Sequence, residues 1–205
     1  MSLFPMFLKI EGRSCLVIGA GKIGESKIRS LLIARAGVRV VAPWATPAVA
    51  AWARAGVVHW EARQFQATDL DDIFLVIAAT SSEAVNDLVF LEAARRRILC
   101  NVVDDPDRCD FYYPAVVRRG ALQVAISTDG NSPALAQNLR RRIEALLQPV
   151  YAGWVDRLGA MRKKLFEHPM GSEPRRRLLH KLAGLDPLSA TLDPHAIEEG
   201  IVYER

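Results

Sequence analysis

The chain has 205 residues, half of them hydrophobic, and a formal net charge of +4 at pH 7. This composition excludes an intrinsically disordered chain, and the length is sufficient for one or two domains with a buried core. The sequence has neither a bilayer-spanning apolar run nor a basic N-terminal leader, and its three cysteines are widely spaced, so we expect a protein of the reducing cytoplasm.

Strand and helix patterns alternate through the first half of the chain, after an extended segment over residues 3–10. The predicted strands cover residues 14–18, 38–42, 57–60, 74–79 and 98–103, and the predicted helices cover residues 22–34, 47–55 and 82–97. We expect Gly37 to end the first helix, and Cys15 and Cys100 to be buried inside strands. This alternation predicts a largely parallel sheet with right-handed crossovers.

The pattern changes in the second half of the chain. Two strands, over residues 112–118 and 121–127, are predicted to join at a tight turn at Gly120. A long helix is predicted over residues 133–147, with Ser132 as its N-cap. Charged and apolar residues then alternate in short segments interrupted by prolines, which predicts a small helical domain.

A glycine-rich turn joins the first predicted strand to the first predicted helix. The sequence over residues 15–24 places Gly19, Gly21 and Gly24 in a G-x-G-x-x-G pattern at this turn. Such a turn leaves backbone N–H groups free at the start of the helix, where they attract a pyrophosphate. We therefore predict a Rossmann-like α/β fold with a dinucleotide site, followed by a small α+β segment and a C-terminal helical domain.

The second predicted strand ends without the acidic residue that holds the ribose of NAD in many Rossmann domains. Ala42, Pro43 and Trp44 stand at this position. No arginine is present there to bind the 2′-phosphate of NADP. The residues alone therefore leave the choice between NAD and NADP open.

Asp104 follows the fifth predicted strand, at the edge of the sheet where ligands bind in open α/β folds. A carboxylate at this edge can accept a proton from a substrate or hold a metal ion. The alternative is a turn residue shortly before Pro106. Further along, the segment from Ser127 to Pro133 is predicted to form a turn and a helix N-cap, which can also contact an anion.

Arginines are clustered in the sequence, whereas histidines are scattered. The arginine clusters are Arg95–Arg97, Arg118–Arg119, Arg140–Arg142 and Arg175–Arg177. Solvated helix faces explain these clusters most simply, and a polyanionic ligand or nucleic acid is the alternative. We expect no resident metal site, because no metal-ligand spacing connects the four histidines, His59, His168, His180 and His195.

Several sequence blocks together resemble the precorrin-2 dehydrogenase module of siroheme synthase. They are Leu3–Phe7 with the glycine turn that follows, Ile77–Thr80, Cys100–Asp104 and Ala125–Ala136. Their order and spacing cover about the first 150 residues, and the remainder is similar only in being a short helical tail. The methyltransferase domain that is fused to this module in some bacteria has no counterpart in the sequence, as expected of a stand-alone form.

The resemblance implies an enzyme that oxidises precorrin-2 to sirohydrochlorin and passes a hydride to NAD⁺. In the family, the aspartate that matches Asp104 is the key catalytic residue, a general base that is also implicated in chelation. The residues expected to bind the cofactor are Gly19, Gly21, Lys22, Ile23, Gly24, Pro43, Trp44 and Thr80. The residues expected to bind the tetrapyrrole or its carboxylates are Ser132, Asn131, Arg118, Arg119 and Arg140.

The resemblance also implies a homodimer. We expect an NAD-binding Rossmann domain over residues 1–112, a dimerisation segment over residues 113–148 and a helical domain over residues 149–205. Two alternatives stay open at this point: an enzyme that also inserts Fe²⁺ into sirohydrochlorin, and a non-enzymatic nucleotide-sensing domain with a basic surface. We expect neither a membrane nor nucleic acid as a partner.

Overall fold

The computed structural model describes residues 3–188 and divides the chain into two compact units, Met1–Tyr113 and Pro114–Arg205. The strands of the first unit are β1 (Ser14–Ala20), β2 (Gly37–Ala45), β3 (His59–Glu61), β4 (Leu75–Ala78) and β5 (Leu99–Val102). Its helices are α1 (Lys22–Ile33), α2 (Pro47–Arg54) and α3 (Glu83–Arg96), with short 3₁₀ helices at Ala67–Leu70 and Pro106–Arg108. The predicted alternation of strands and helices is confirmed, and the 3₁₀ helices were not predicted.

The five strands form one parallel sheet in the order β3-β2-β1-β4-β5. The chain therefore adds β2 and β3 on one side of β1 and then crosses back to add β4 and β5 on the other side. The reversal lies between β1 and β4, and the carboxyl edge of the sheet at this point is where ligands bind in open α/β folds. The glycine turn lies at this edge, immediately after the residues of β1 that pair with β4.

The sheet is covered on both faces, as its continuous apolar strands predict. Cys15 and Val17 of β1 pack into one apolar cluster, and Leu16 and Ile18 pack into the other. The predicted burial of Cys15 is confirmed, and Cys100 is also buried, on β5. This core fixes the strand ends from which the candidate site is built.

The prediction that Gly37 ends the first helix is wrong. Helix α1 ends at Ile33, and the chain reverses at Arg35, which has a positive φ of 58°. The N–H of Ala36 donates to the carbonyl of Leu31 across this turn. Arg35 therefore occupies the left-handed position that glycine usually takes after a helix. Gly37 is already the first residue of β2.

The second unit combines a hairpin with three helices. Strands β6 (Ala115–Arg119) and β7 (Leu122–Ile126) are antiparallel and join at the predicted turn at Gly120, and they are followed by α4 (Pro133–Leu146), α5 (Val150–Glu167) and α6 (Ser172–Ala183). A small apolar core is formed by Trp154, Met161, Leu165 and Leu182.

The predicted helical domain extends beyond the described residues, because the part of it from residue 189 onward, with His195, lies outside them. The predicted three-part division of the chain stays a prediction. Between residues 3 and 188, no helix has the length and apolar character needed to cross a membrane.

Candidate functional site

The glycine turn brings the backbones of β1, β4 and α1 into direct contact. A Cβ added at Gly24 would lie 2.1 Å from the carbonyl oxygen of Gly19, and a Cβ added at Gly19 would lie 2.2 Å from the carbonyl oxygen of Ala79. Gly19 also has a φ of 99°. Both positions therefore require glycine, Gly24 for close packing and Gly19 for packing and backbone conformation.

Helix α1 begins at this turn without a side-chain cap. Its N-cap residue is Gly21, which has an extended backbone and offers no side-chain acceptor. Lys22 and Ile23 form the exposed start of the helix. The first N–H groups of a helix lack intrahelical partners, and together with the helix dipole they form an anion site. This geometry fits the pyrophosphate of a dinucleotide.

Trp44 lies against the glycine turn from the end of β2. Its ring atom Cη2 is 3.3 Å from the position that a Cβ on Gly21 would take, yet 65% of the residue is exposed. The N–H of Thr46 donates to the carbonyl of Ala20 at 3.0 Å, which fixes the end of β2 beside the turn. The exposed ring of Trp44 thus forms an apolar surface next to the N-terminus of α1, and Pro43, the preceding residue of β2, is also exposed.

Thr80 follows β4 at the same edge of the sheet. Its Oγ1 accepts a hydrogen bond from the N–H of Ser82 at 3.1 Å, and its carbonyl accepts one from Nδ2 of Asn86 at 3.2 Å. Ser82 in turn caps α3. Within residues 3–188, Oδ1 of Asn86 is buried without a hydrogen-bond partner. The loop after β4 is therefore held by its own side chains, next to the glycine turn.

Asp104 lies just beyond β5, on the far side of β4 from the glycine turn. Neighbouring strands are about 4.8 Å apart, so the end of β5 is about 10 Å from the end of β1. Asp104 is exposed and has a left-handed backbone, with a φ of 64°. Within the described part of the chain, its carboxylate forms no hydrogen bond and no direct ion pair. The carboxylate is therefore available to a ligand at this edge.

The loop that carries Asp104 is fixed by Asn101 and Cys109. Asn101 is only 6% exposed, and its Nδ2 donates to the carbonyl of Phe111 at 2.8 Å and to Sγ of Cys109 at 3.2 Å. The same sulfur lies 3.2 Å from the carbonyl oxygen of Val102 and 3.0 Å from that of Asp105, and its single thiol hydrogen can be donated to either of them. These contacts tie both ends of the loop together and hold Asp104 between them.

Sequence reasoning assigned no role to Asn101 or Cys109. The available signal was a polar residue inside an otherwise apolar strand, because a buried amide must find hydrogen-bond partners. The pattern could indicate that Asn101 makes such bonds, but it could not identify Phe111 and Cys109 as the partners.

Replacing Asn101 with alanine is expected to loosen the Asp104 loop. The change leaves the carbonyl of Phe111 and the sulfur of Cys109 without their donor, so we expect a loss of about 1–3 kcal/mol in the free energy of unfolding. Thermal and urea unfolding measure this loss. Cys109→Ser keeps a hydrogen-bonding group at its position and should cost less. Equal stabilities for Asn101→Ala and the wild type would contradict the conclusion that the hydrogen bonds of Asn101 fix the Asp104 loop.

Ser132 and Asn131 lie at the start of α4 in the second unit. The predicted N-cap is confirmed: Oγ of Ser132 accepts from the N–H of Leu135 at 3.2 Å, and Pro133 is the first helical residue. Nδ2 of Asn131 donates to the carbonyl of Thr128 at 3.0 Å. The predicted role of these residues in substrate binding stays a prediction.

The arginines of the second unit differ in their partners. Nε of Arg119 donates to the carbonyl of Leu147 at 2.6 Å, and its Nη2 donates to the carbonyl of Glu144 at 2.9 Å, so its guanidinium closes the C-terminus of α4. Arg140 forms an ion pair with Glu144 one turn along the same helix. The side chain of Arg118 is exposed. These contacts do not test the substrate-binding role predicted for the three arginines, which stays a prediction.

The contacts of Arg119 predict a structural effect that Arg118 does not share. Arg119→Met removes the donors that satisfy the last carbonyls of α4, so we expect a loss of about 1–2 kcal/mol in unfolding free energy. Arg118→Met should change stability by less than about 0.5 kcal/mol. Urea unfolding of the two variants beside the wild type measures the difference. A larger loss for Arg118→Met than for Arg119→Met would contradict this assignment.

Metal-binding geometry is not present in the described residues. Within residues 3–188, no group of three or more His, Cys, Asp or Glu side chains is arranged to hold a metal ion.

The first unit combines a glycine turn, an uncapped helix start, the exposed ring of Trp44 and the unpaired carboxylate of Asp104 at one edge of a parallel sheet. Such an edge is suited to a dinucleotide and to proton transfer.

Comparison with known proteins agrees with this geometry. Residues 6–115 match a family model described as “Putative NAD(P)-binding”, and residues 119–146 match one described as “Sirohaem biosynthesis protein central”. Siroheme synthase 1 of Serratia proteamaculans is 39% identical over 184 residues, which are 90% of this chain and 39% of that protein. Siroheme synthase 1 of Klebsiella pneumoniae is 41% identical over 182 residues, which are 89% of this chain and 39% of that protein.

The chain thus spans about two-fifths of the length of these curated relatives. A solved structure of SirC, precorrin-2 dehydrogenase, matches with a TM-score of 0.80 and 24% identity, covering 97% of this chain and 98% of that chain. The likeness confirms the predicted Rossmann-like fold, and the curated relatives confirm the resemblance to siroheme synthase.

Proposed function

Because the chain belongs to the NAD(P)-binding family whose model matches residues 6–115, we propose that it is an NAD⁺-dependent precorrin-2 dehydrogenase that forms sirohydrochlorin. The observation that carries this proposal is the exposed carboxylate of Asp104, which has no direct partner within residues 3–188 and shares its sheet edge with the glycine turn. The names of the siroheme synthase relatives support the choice of substrate.

The first unit offers the groups that a dinucleotide needs. The N–H groups at the start of α1, from Lys22 and Ile23, would hold the pyrophosphate. Pro43 and Trp44 would contact the adenosine end, and Thr80 would line the site after β4. Because β2 ends with neither an acidic nor a basic side chain, the choice of NAD over NADP rests on the resemblance to the precorrin-2 dehydrogenase module. When bound, oxidised NAD supplies the hydride acceptor.

Asp104 supplies the proton acceptor of the proposed reaction. Oxidation of the macrocycle removes a hydride, which carries an electron pair, together with a proton from the neighbouring atom, and a double bond forms between these two atoms. The carboxylate of Asp104 takes the proton. Asn101 and Cys109 hold the loop so that this carboxylate stays at the sheet edge. Alignment and charge placement are then the main contributions of the protein.

The proposal extends to the second unit. We assign carboxylates of the substrate to the exposed side chains of Arg118 and Asn131 and to the half-buried hydroxyl of Ser132, since guanidinium, amide and hydroxyl donors suit such anions. Arg119 and Arg140 stay secondary candidates, because their guanidinium groups already bind α4. We also propose a homodimer formed through residues 113–148 and a cytoplasmic location.

An anaerobic absorbance time course tests the proposed function. The purified chain is mixed with enzymatically made precorrin-2, with NAD⁺, with NADP⁺ or without a nucleotide. We expect sirohydrochlorin and NADH to appear together and in equal amounts with NAD⁺, and more slowly with NADP⁺. If the rate with NAD⁺ matches that of a sample without protein, the proposed activity is wrong. Fe²⁺ insertion is the second candidate; within residues 3–188 no group of three or more His, Cys, Asp or Glu side chains is arranged to hold a metal ion.

A further inference from the structure

Asn86 is a half-buried residue of α3 to which the proposed function assigns no role. Among the buried side-chain nitrogen and oxygen atoms within residues 3–188, its Oδ1 is the one without a hydrogen-bond partner. An unpaired buried acceptor lowers the stability of a fold, and an apolar side chain at the same position would avoid that loss. The presence of an amide here therefore needs a reason other than stability.

The hydrogen bond of Nδ2 fixes the orientation of this amide. Nδ2 of Asn86 donates to the carbonyl of Thr80 at 3.2 Å. Turning the amide over would set Oδ1 against the same carbonyl oxygen, and two acceptors cannot form a hydrogen bond. The unpaired Oδ1 is thus a consequence of the bond that Nδ2 makes to Thr80.

The side chain of Asn86 completes a ring of hydrogen bonds around the loop after β4. The N–H of Ser82 donates to Oγ1 of Thr80 at 3.1 Å, and the N–H of Asn86 donates to the carbonyl of Ser82 at 3.0 Å. The bond from Nδ2 of Asn86 to the Thr80 carbonyl closes the ring. Because that carbonyl belongs to the peptide that follows Thr80, Asn86 fixes the plane of this peptide.

Thr80 in turn lies against the glycine turn. Its backbone N is 3.2 Å from the position that a Cβ on Gly19 would take. Oγ1 of Thr80 accepts from Ser82, whereas its hydroxyl hydrogen donates to no atom within residues 3–188. A hydroxyl in this state can donate to an oxygen of a nucleotide. The contacts therefore connect Asn86, through Thr80, to the turn that would hold the pyrophosphate.

We propose that Asn86 is a positioning residue of the nucleotide site, which holds the peptide after Thr80 so that the Thr80 hydroxyl donates to an oxygen of bound NAD⁺. This inference rests on the proposed function through nucleotide binding alone. Asn86 acts through Thr80 and does not contact the nucleotide, since its Oδ1 is buried and its Nδ2 is occupied. A loop that is ordered before binding loses less freedom when the nucleotide arrives, which raises affinity.

Replacing Asn86 with leucine separates positioning from stability. Leucine keeps the branched shape and removes both amide groups, so we expect the Kd of NAD⁺ to rise about 3- to 10-fold, the value of one hydrogen bond. The urea midpoint should be no lower than that of the wild type, because removal of the unpaired acceptor offsets the lost bond to Thr80. Ala84→Leu puts the same side chain at an exposed position of α3 and is the matched control, with wild-type Kd and midpoint.

A double-mutant cycle on the Kd of NAD⁺ shows whether Asn86 acts through Thr80. Thr80→Val removes the hydroxyl and keeps the carbonyl that binds Asn86, and it should also raise the Kd about 3- to 10-fold. Adding Asn86→Leu to Thr80→Val should then raise the Kd by less than about twofold. Independent, multiplicative losses would overturn the proposal. A lower urea midpoint with a wild-type Kd in Asn86→Leu, the result expected of a purely structural residue, would also overturn it.

The side-chain amide of Asn86 gives a second readout that needs no variant to fold. In the NMR spectrum of the isotope-labelled wild type, the signals of its Nδ2 protons should shift when NAD⁺ saturates the site, because the loop that they bind then contacts the nucleotide. Signals that stay unchanged at saturation would overturn the role of Asn86.

These measurements separate the failure of this proposal from that of the proposed function. If the wild type does not bind NAD⁺, both fail together. If the wild type binds NAD⁺ and does not oxidise precorrin-2, the proposed function fails, and the Kd values still decide the role of Asn86. If the wild type is active and Asn86→Leu binds NAD⁺ equally well, the role of Asn86 alone is rejected.

Discussion

Replacing Asp104 with asparagine is expected to lower kcat for precorrin-2 oxidation by about 10²- to 10⁴-fold, the range that a positioned general base contributes. Asparagine has the same shape and cannot accept the proton. The side chain has no direct partner within residues 3–188, so its replacement disturbs no hydrogen bond and the fold should be unchanged. The loss should therefore appear in the chemical step alone.

The Kd of NAD⁺ distinguishes this outcome from general damage. The glycine turn and the Asp104 loop are separated by β4, so calorimetric titration with NAD⁺ should give nearly the wild-type Kd for Asp104→Asn. Asp107→Asn is the charge-matched control, since Asp107 is exposed on the adjacent 3₁₀ helix and should retain wild-type kcat. An Asp104→Asn protein within about threefold of wild-type kcat would rule out the role of Asp104 as general base.

Most of the sheet could be predicted because its physical causes are local in the sequence. A strand buried on both faces is a continuous apolar run, and the run from Leu75 to Ala78 stands out for this reason. The glycine pattern could be interpreted because it connects such a strand to a helical pattern. The error at Gly37 has an equally local cause: a non-glycine residue, Arg35, took the left-handed position that glycine usually occupies.

The parts of the site that escaped prediction depend on contacts between distant segments. Nothing in the sequence around Thr80 indicates that its backbone N lies against Gly19, more than sixty residues earlier. Arg119 gave the opposite difficulty: the family resemblance implied a substrate contact, and no feature of the sequence indicated that its guanidinium also binds the end of α4. Residue type and spacing identify which chemistry is available, but tertiary packing decides which side chains are already occupied.

Replacing Gly24 with alanine should damage both the fold and the cofactor site. The added Cβ would lie 2.1 Å from the carbonyl oxygen and 2.9 Å from the carbonyl carbon of Gly19, and backbone atoms cannot move aside as a flexible side chain can. Helix α1 must therefore shift away from β1. We expect a loss of about 3 kcal/mol in unfolding free energy, at the upper end of the usual range for overpacking a core.

The same shift displaces the N–H groups that would hold the pyrophosphate, and the loss of one or two hydrogen bonds to a charged group weakens NAD⁺ binding about 10- to 100-fold. Urea unfolding and NAD⁺ titration measure the two effects. Gly159→Ala is the matched control, because a Cβ there meets no atom within 4 Å and alanine is the better helix former. If Gly24→Ala binds NAD⁺ as tightly as Gly159→Ala does, the N-terminus of α1 does not hold the cofactor.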